Sequence, residues 1–366
     1  MQVTRRTALS LLGSAVLLPS ALRAAAPDRL YLNAYGEKGG FGFAAFDAEG
    51  NIRYQRPLPQ RGHSFARSPD GRIAVAFSRR PGDFAFAFDP QSGEHGRLIS
   101  AADDRSFCGH GAFTADGRLM FATEVIASTG EGVLGVYAVR EAWTRVGEYR
   151  THGLDPHEVK LMPDGRTLVV ANGGILMRSD LPRLKLNIQD MDPSLVYLDA
   201  ADGQLIAQIR PEKELHQLSI RHVAIDAKGR VAIAMQYEGP EEDDVPLVAL
   251  HDAPAGAKTL RYLAMPTEQR EALQQYCGSA TVDARGRYLA VSSPRGNRVL
   301  VWDMDRETLV QVGEARDVCG IAPQAGNGFY ASNGLGRLFR LQTGGQMEDL
   351  AARSRLQWDN HMVAVA

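Results

Sequence analysis

The stretch GHSFARSPDGRIAVAF, Gly62 to Phe77, decides the fold. It opens on a Gly-His pair and runs into an alternating strand. Ser68-Pro69-Asp70-Gly71 then breaks the strand with a turn, where glycine supplies the positive φ that a tight hairpin needs. An apolar second strand follows over 73–77, and a third ends at Phe88-Asp89. The same unit recurs with turns at Asp116-Gly117, Asp164-Gly165, Lys228-Gly229 and Arg285-Gly286, and a looser one at Gly326-Asn327-Gly328. Second strands are expected at 119–123, 167–171, 231–235, 288–292 and 328–332, and third strands at 85–89, 135–139, 195–199, 247–250, 298–303 and 337–341. These segments make six blades. A seventh is shared by the two ends of the chain, with outer strands at 30–33, 42–47 and 52–55 and an inner strand at 361–365. Blades too small to bury their own faces gain a core only by stacking on neighbours, and a ring closed by both termini leaves no open edge. The expectation is an all-β chain: one closed β-propeller of seven four-stranded blades over residues 27–366. Six or eight blades would require the shared blade to be misassigned. Helical periodicity is confined to 267–275 and the surroundings of 181–190.

Working outward, residues 1–26 read as an address. Thr4-Arg5-Arg6 precedes an uncharged Leu/Ala-rich stretch from Thr7 to Leu22, and Ala24-Ala25-Ala26 offers the small residues a signal peptidase accepts. The paired arginines point to twin-arginine export, cleavage near Ala26 and a periplasmic location. The apolar stretch is shorter than the roughly 20 residues needed to span a bilayer, so no membrane insertion is expected after signal removal. A net charge of -2 over 366 residues provides no global basic field, which argues against nucleic acid as a partner. The three cysteines are an odd number for an oxidising compartment, so at least one thiol stays unpaired.

Within a blade, the innermost strand starts at the face where the loops between blades and those between second and third strands emerge. The latter are expected to be long at 124–134, 172–194 and 236–246, and function tends to sit on such loops. At that same mouth, His63, His110, His157, His222 and His361 each begin an inner strand. Cys-Gly pairs at Cys108, Cys277 and Cys319 are placed equivalently. Five of the nine histidines and all three cysteines therefore converge on one ring. Imidazole and thiolate are natural ligands for a transition metal, iron or copper. The competing account is structural: propellers favour histidine here for hydrogen bonding between blades, and cysteine is a small buried filler. Asp155 and Glu158 flank His157, Arg221 precedes His222, Arg316 and Asp317 precede Cys319, and Asp359-Asn360 precede His361. Asp155, Glu158, Arg221, Asp317 and Asn360 are the expected supporting groups around the ligands, although Asp and Asn also simply cap turns. Arg79-Arg80, Arg295 and Arg298 read as solvated loop residues, and the acidic run from Glu241 to Asp244 as a mobile charged loop. No Ser/His/Asp arrangement, phosphate loop or Cys-x-x-Cys-His haem site occurs, and no catalytic residue is assigned.

The Thr-Arg-Arg leader, the Gly62 to Gly71 run, Leu-Asp-Pro-His-Glu from Leu154 to Glu158 and Trp-Asp-Asn-His from Trp358 to His361 resemble a family of twin-arginine-exported seven-bladed propellers. The family lies in the YVTN, quinoprotein-amine-dehydrogenase-β-chain-like superfamily and has no assigned activity. The resemblance covers the whole mature chain. It implies association with imelysin-type iron-uptake loci, and so an imelysin-like or haem protein as a periplasmic partner of a monomeric propeller. The expected function is a non-enzymatic metal-binding or scaffold component of iron acquisition. The alternatives are a propeller enzyme, lactonase or metal-dependent oxidoreductase, using the same mouth, and a pure protein-docking module.

Overall fold

The computed structural model describes residues 29–178, 184–252, 258–350 and 354–365, so the leader expected over 1–26 lies outside the described residues. Seven antiparallel four-stranded sheets form the chain. Blade 1 places Gln357–Val365 innermost, followed by Leu30–Glu37, Gly40–Phe46 and Ile52–Leu58, so the chain's first and last strands share one sheet. Blades 2 to 7 each take four consecutive strands. Their inner strands are Gly62–Arg67, Arg105–Phe113, Pro156–Leu161, Leu218–Ile225, Ser279–Val282 and Val318–Pro323. The seven-bladed reading and the shared terminal blade both hold.

The turns form for the reason the sequence suggests: Gly71, Gly117, Gly165, Gly229 and Gly286 all adopt φ between 67° and 82°, the left-handed region where a Cβ is strained. In the first of them Ser68 Oγ donates to Asp70 Oδ1 at 2.6 Å, and the Ile73 amide donates to Ser68 Oγ at 3.0 Å. The hairpin is thus closed by its own side chains.

Apolar faces of adjacent blades interlock. Phe43 of blade 1 lies 4.3 Å from Phe88 and 6.0 Å from Phe65 of blade 2, ring centre to ring centre. Trp302 is fully buried and satisfies its indole N–H on the Ala264 carbonyl at 3.2 Å. Burial of each such side chain stabilises the ring by roughly 1.5–3 kcal/mol.

Two of the three expected long loops are present, over 173–193 and 238–247. The third is not. The second and third strands of blade 3 extend to Ile126 and from Glu131, which leaves a four-residue hairpin at 127–130. Glu124, which looks like a loop residue by charge, is wholly buried opposite Val133; Tyr137 donates to it at 2.6 Å and Arg145 at 2.9 Å. One short helix, Thr267–Ala272, occupies the region read as helical, and a 3-10 turn at Ile188–Asp190 falls inside the other. No described helix is long and apolar enough to cross a membrane.

Candidate metal centre

The inner strands are not regular. In six of the seven blades the pairing of the inner strand with its neighbour slips at one place: between Met362 and Trp358, Gly62 and Phe65, Phe107 and Gly111, Pro156 and Glu158, Ile220 and His222, and Val318 and Ile321. A bulge bends the strand and re-aims its side chains. Five of the six bulges contain or adjoin a histidine. Blades 1 to 5 in order contribute His361, His63, His110, His157 and His222; blades 6 and 7 carry Gly278 and Gly320 at the matching place.

The five imidazoles meet on the axis. Ring centres lie 4.5 Å apart for His63 and His361, 4.6 Å for His222 and His361, 4.7 Å for His157 and His222, 4.8 Å for His110 and His361, and 5.0 Å for His63 and His110. The approach of His63 depends on Gly109, whose φ is +104°; a Cβ there would lie 2.4 Å from His63 Cδ2. All but His157 are buried, and His157 is partly so. Burial is the main cause that lowers every one of the five pKa values, His110 to about 3 and His63, His157 and His361 well below the usual imidazole range. The rings are therefore neutral near pH 7, the form that binds metals.

Side-chain partners face the Nδ1 atoms of the rings, within hydrogen-bonding distance at His157, His222 and His361. Glu158 Oε2 lies 3.2 Å from His222 Nδ1 and accepts the Val223 amide at 3.0 Å, while Oε1 lies 3.7 Å from His110 Nδ1 and 3.1 Å from Lys160 Nζ. Burial alone would raise the Glu158 pKa, but Lys160 and the two imidazoles hold it well below the usual carboxylate range. His63 Nδ1 faces Asp359 Oδ1 at 3.5 Å, and Ser279 Oγ sits 3.4 Å from His361 Nδ1. Arg221 donates to His157 Nδ1 at 3.2 Å, which places the proton of that neutral ring on Nε2 and occupies its lone pair. Among the described residues two sets of three offer ring nitrogens within 4.8 Å of one another: His63, His110 and His361, and His110, His157 and His222. The first set fits an ion better. His110 Nε2 and His361 Nε2 are buried without a hydrogen-bond partner, whereas the lone pair of His157 is already used. A tetrahedral ion with bonds of about 2.0 Å needs donors roughly 3.4 Å apart, so the rings would close slightly on it.

The expected supporting residues divide. Asp155 is buried between Arg221, at 2.7 Å, and Arg80, which ion-pairs with it; Asp359 collects Arg61, and Arg79 at 3.5 Å. Asn360 contributes its amide to Asp359 at 2.8 Å, and Asp317 is an exposed loop residue whose amide is bound by Asn297. Asp155, Arg221 and Asp359 precede the ring histidines of their blades by one or two residues, so these ion pairs lie on the inter-blade side of the rings. Arg80, read from sequence as solvated, is a half-buried partner of that layer through its ion pair with Asp155. The reading missed Lys160, Ser279 and Gly109, and only the Cys-Gly-His spacing at 108–110 hinted at the last.

The cysteines differ from expectation in register. Cys108 lies two residues before His110, whereas Cys277 and Cys319 immediately precede the glycines, and neighbouring strand positions face opposite ways. All three are buried and free; burial pushes the Cys108 and Cys277 thiols up to about 12 and Cys319 higher still. Cys277 packs in the largest core cluster with its thiol 3.9 Å from the Leu247 carbonyl, and Cys319 fills the space beside Gly278, where a Cβ would meet its sulfur at 2.7 Å. Neither imidazole set includes a cysteine.

Below the rings a channel of about 290 Å³ runs along the inner strands toward the opposite face, that of the Asp-Gly turns. His110, His222 and His361 form its roof, and Glu158, Lys160, Arg67 and Arg29 lie along its wall.

A family model described as "Protein of unknown function (DUF1513)" matches residues 56–365, and the chain belongs to that family. No curated protein matches it significantly. Among solved structures it is similar to hydrazine synthase of Kuenenia stuttgartiensis, with 18% identity and a TM-score of 0.64 over 82% of this chain and 89% of that one. At that identity the likeness shows the fold.

Proposed function

We propose that the chain is an exported, periplasmic, non-enzymatic propeller that holds a transition-metal ion, iron or copper, on its axis as a component of iron acquisition. One observation carries the metal reading: three buried neutral imidazoles, His63, His110 and His361, converge, each with one ring nitrogen left without a hydrogen-bond partner. A buried polar atom without a partner costs on the order of 1–3 kcal/mol, and an ion relieves that cost. Glu158 lies 3.7 Å from His110 Nδ1 and Asp359 3.5 Å from His63 Nδ1, on the side from which a carboxylate supports a metal-bound imidazole once the contact closes to a hydrogen bond. The export and iron part of the reading rests on Arg5-Arg6 and the family resemblance, with an imelysin-like or haem protein as the expected partner.

The test is the metal content of protein purified from periplasm. About one equivalent of iron or copper is expected, lost in His110→Ala and kept in His216→Ala, a histidine on the exterior. Less than about a tenth of an equivalent in the unaltered protein, after incubation with either ion, removes the reading. A second reading, a metal-dependent oxidoreductase, is favoured by the channel that reaches the same histidines: three protein ligands leave coordination positions open, as catalytic sites do. Redox turnover that disappears with His110→Ala would establish it.

A further inference from the structure

Resting on the metal reading, the structure carries one step more: which side of the ion is open, and to what. On the inter-blade face the rings are flanked by the Asp155–Arg80–Arg221 and Asp359–Arg61–Arg79 ion pairs, where Asp155 and Asp359 are already partnered. On the other side the channel is roofed by His110, His222 and His361, and two of these, His110 and His361, keep an Nε2 without a hydrogen-bond partner. Its wall is unequal in charge. Arg29, Arg67 and Lys160 face a single carboxylate, Glu158, and that carboxylate already receives Lys160, His222 and the Val223 amide. Arg29 and Arg67 have no ion pair among the described residues. The channel of about 290 Å³ has room for about ten waters' worth of liquid at roughly 30 Å³ each, hence for an organic anion of a few carbon atoms. Guanidinium groups match carboxylates in a two-point fork, and a low-dielectric wall of one sign draws in the opposite charge.

We propose that the propeller takes a small dicarboxylate from the face of the Asp-Gly turns, with one carboxylate completing the coordination of the ion under His63, His110 and His361 and the other held by Arg67 and Arg29. The ion and the anion thus bind as a pair, entering through the channel and not through the mouth formed by the long loops.

Full-length mature protein loaded with cobalt(II) reports on this through its visible absorption. Titration with succinate should shift the cobalt bands saturably. In Arg29→Gln/Arg67→Gln the apparent affinity should fall about ten-fold or more, while bound cobalt stays the same. A cobalt spectrum indifferent to succinate overturns the inference and leaves the metal centre standing. An equal affinity in the double variant overturns the assignment of the entry face. Failure to retain cobalt at all removes the centre and the inference together.

Discussion

Acidification of the metal-free protein is the sharpest probe of the axial cluster. Five imidazoles are held neutral by burial in the fold, whereas in the unfolded chain each returns to its ordinary pKa of 6.5. Below pH ~6.5 the unfolded state therefore binds more protons than the native one. Stability then falls as pH drops through that value, and keeps falling until the native rings themselves protonate, near pH 3 for His110. Between pH ~7.5 and pH ~5 a ring that stays neutral throughout, as His110 does, costs about 2 kcal/mol, and the cluster as a whole costs several such contributions. That is comparable with the whole stability of an ordinary domain, about 5–15 kcal/mol. Guanidinium denaturation of apoprotein, followed by tryptophan fluorescence, should show midpoints that decline steeply over this range. His110→Gln, which removes the ring held neutral down to about pH 3, should make the decline shallower. A midpoint constant from pH ~7.5 to ~5.5, or resonances assigned to His63, His110, His157, His222 and His361 titrating near 6.5 in the native state, would refute the buried neutral cluster.

Two further outcomes follow from single contacts. Gly109→Ala places a Cβ 2.4 Å from His63 Cδ2 at a backbone φ of +104°, so the protein should keep its far-ultraviolet circular dichroism yet lose most of its metal, at about 1–3 kcal/mol in stability. Arg221→Ala leaves Asp155, which is fully buried, with Arg80 alone and frees the lone pair of His157; a loss of about 3–5 kcal/mol in chemical denaturation is expected.

The blades were legible because two local signals recur in phase: glycine where a hairpin needs positive φ, and alternation before and after it. Four of the converging histidines were legible for the same reason, since His63, His110, His157 and His222 sit seven or eight residues before the turn glycine, while His361 was placed by the closing strand at the end of the chain. What lay beyond reach was direction. A bulge of one residue decides whether a side chain faces the axis or the neighbouring blade, and nothing in Ile220-Arg221-His222 announces that the chain slips there. For the same reason Cys108 looked equivalent to Cys277 and Cys319 although it is one position out of step. Charge misled twice. Glu124 and Arg80 resemble loop residues, but each is drawn in by a partner distant in sequence or on another strand, Arg145 and Asp155 respectively, Glu124 fully and Arg80 in part.

The shared first blade has a consequence for how the site comes into being. His361 rides on the inner strand Gln357–Val365, which follows all the others of the ring in chain order, while His63 and His110 belong to blades 2 and 3. An ion gripped by these three would bolt the seam of the ring, tying the closing strand to blades built some 250 to 300 residues earlier. Cargo and clasp would then be one object, and emptying the centre would loosen the join where the circle is completed.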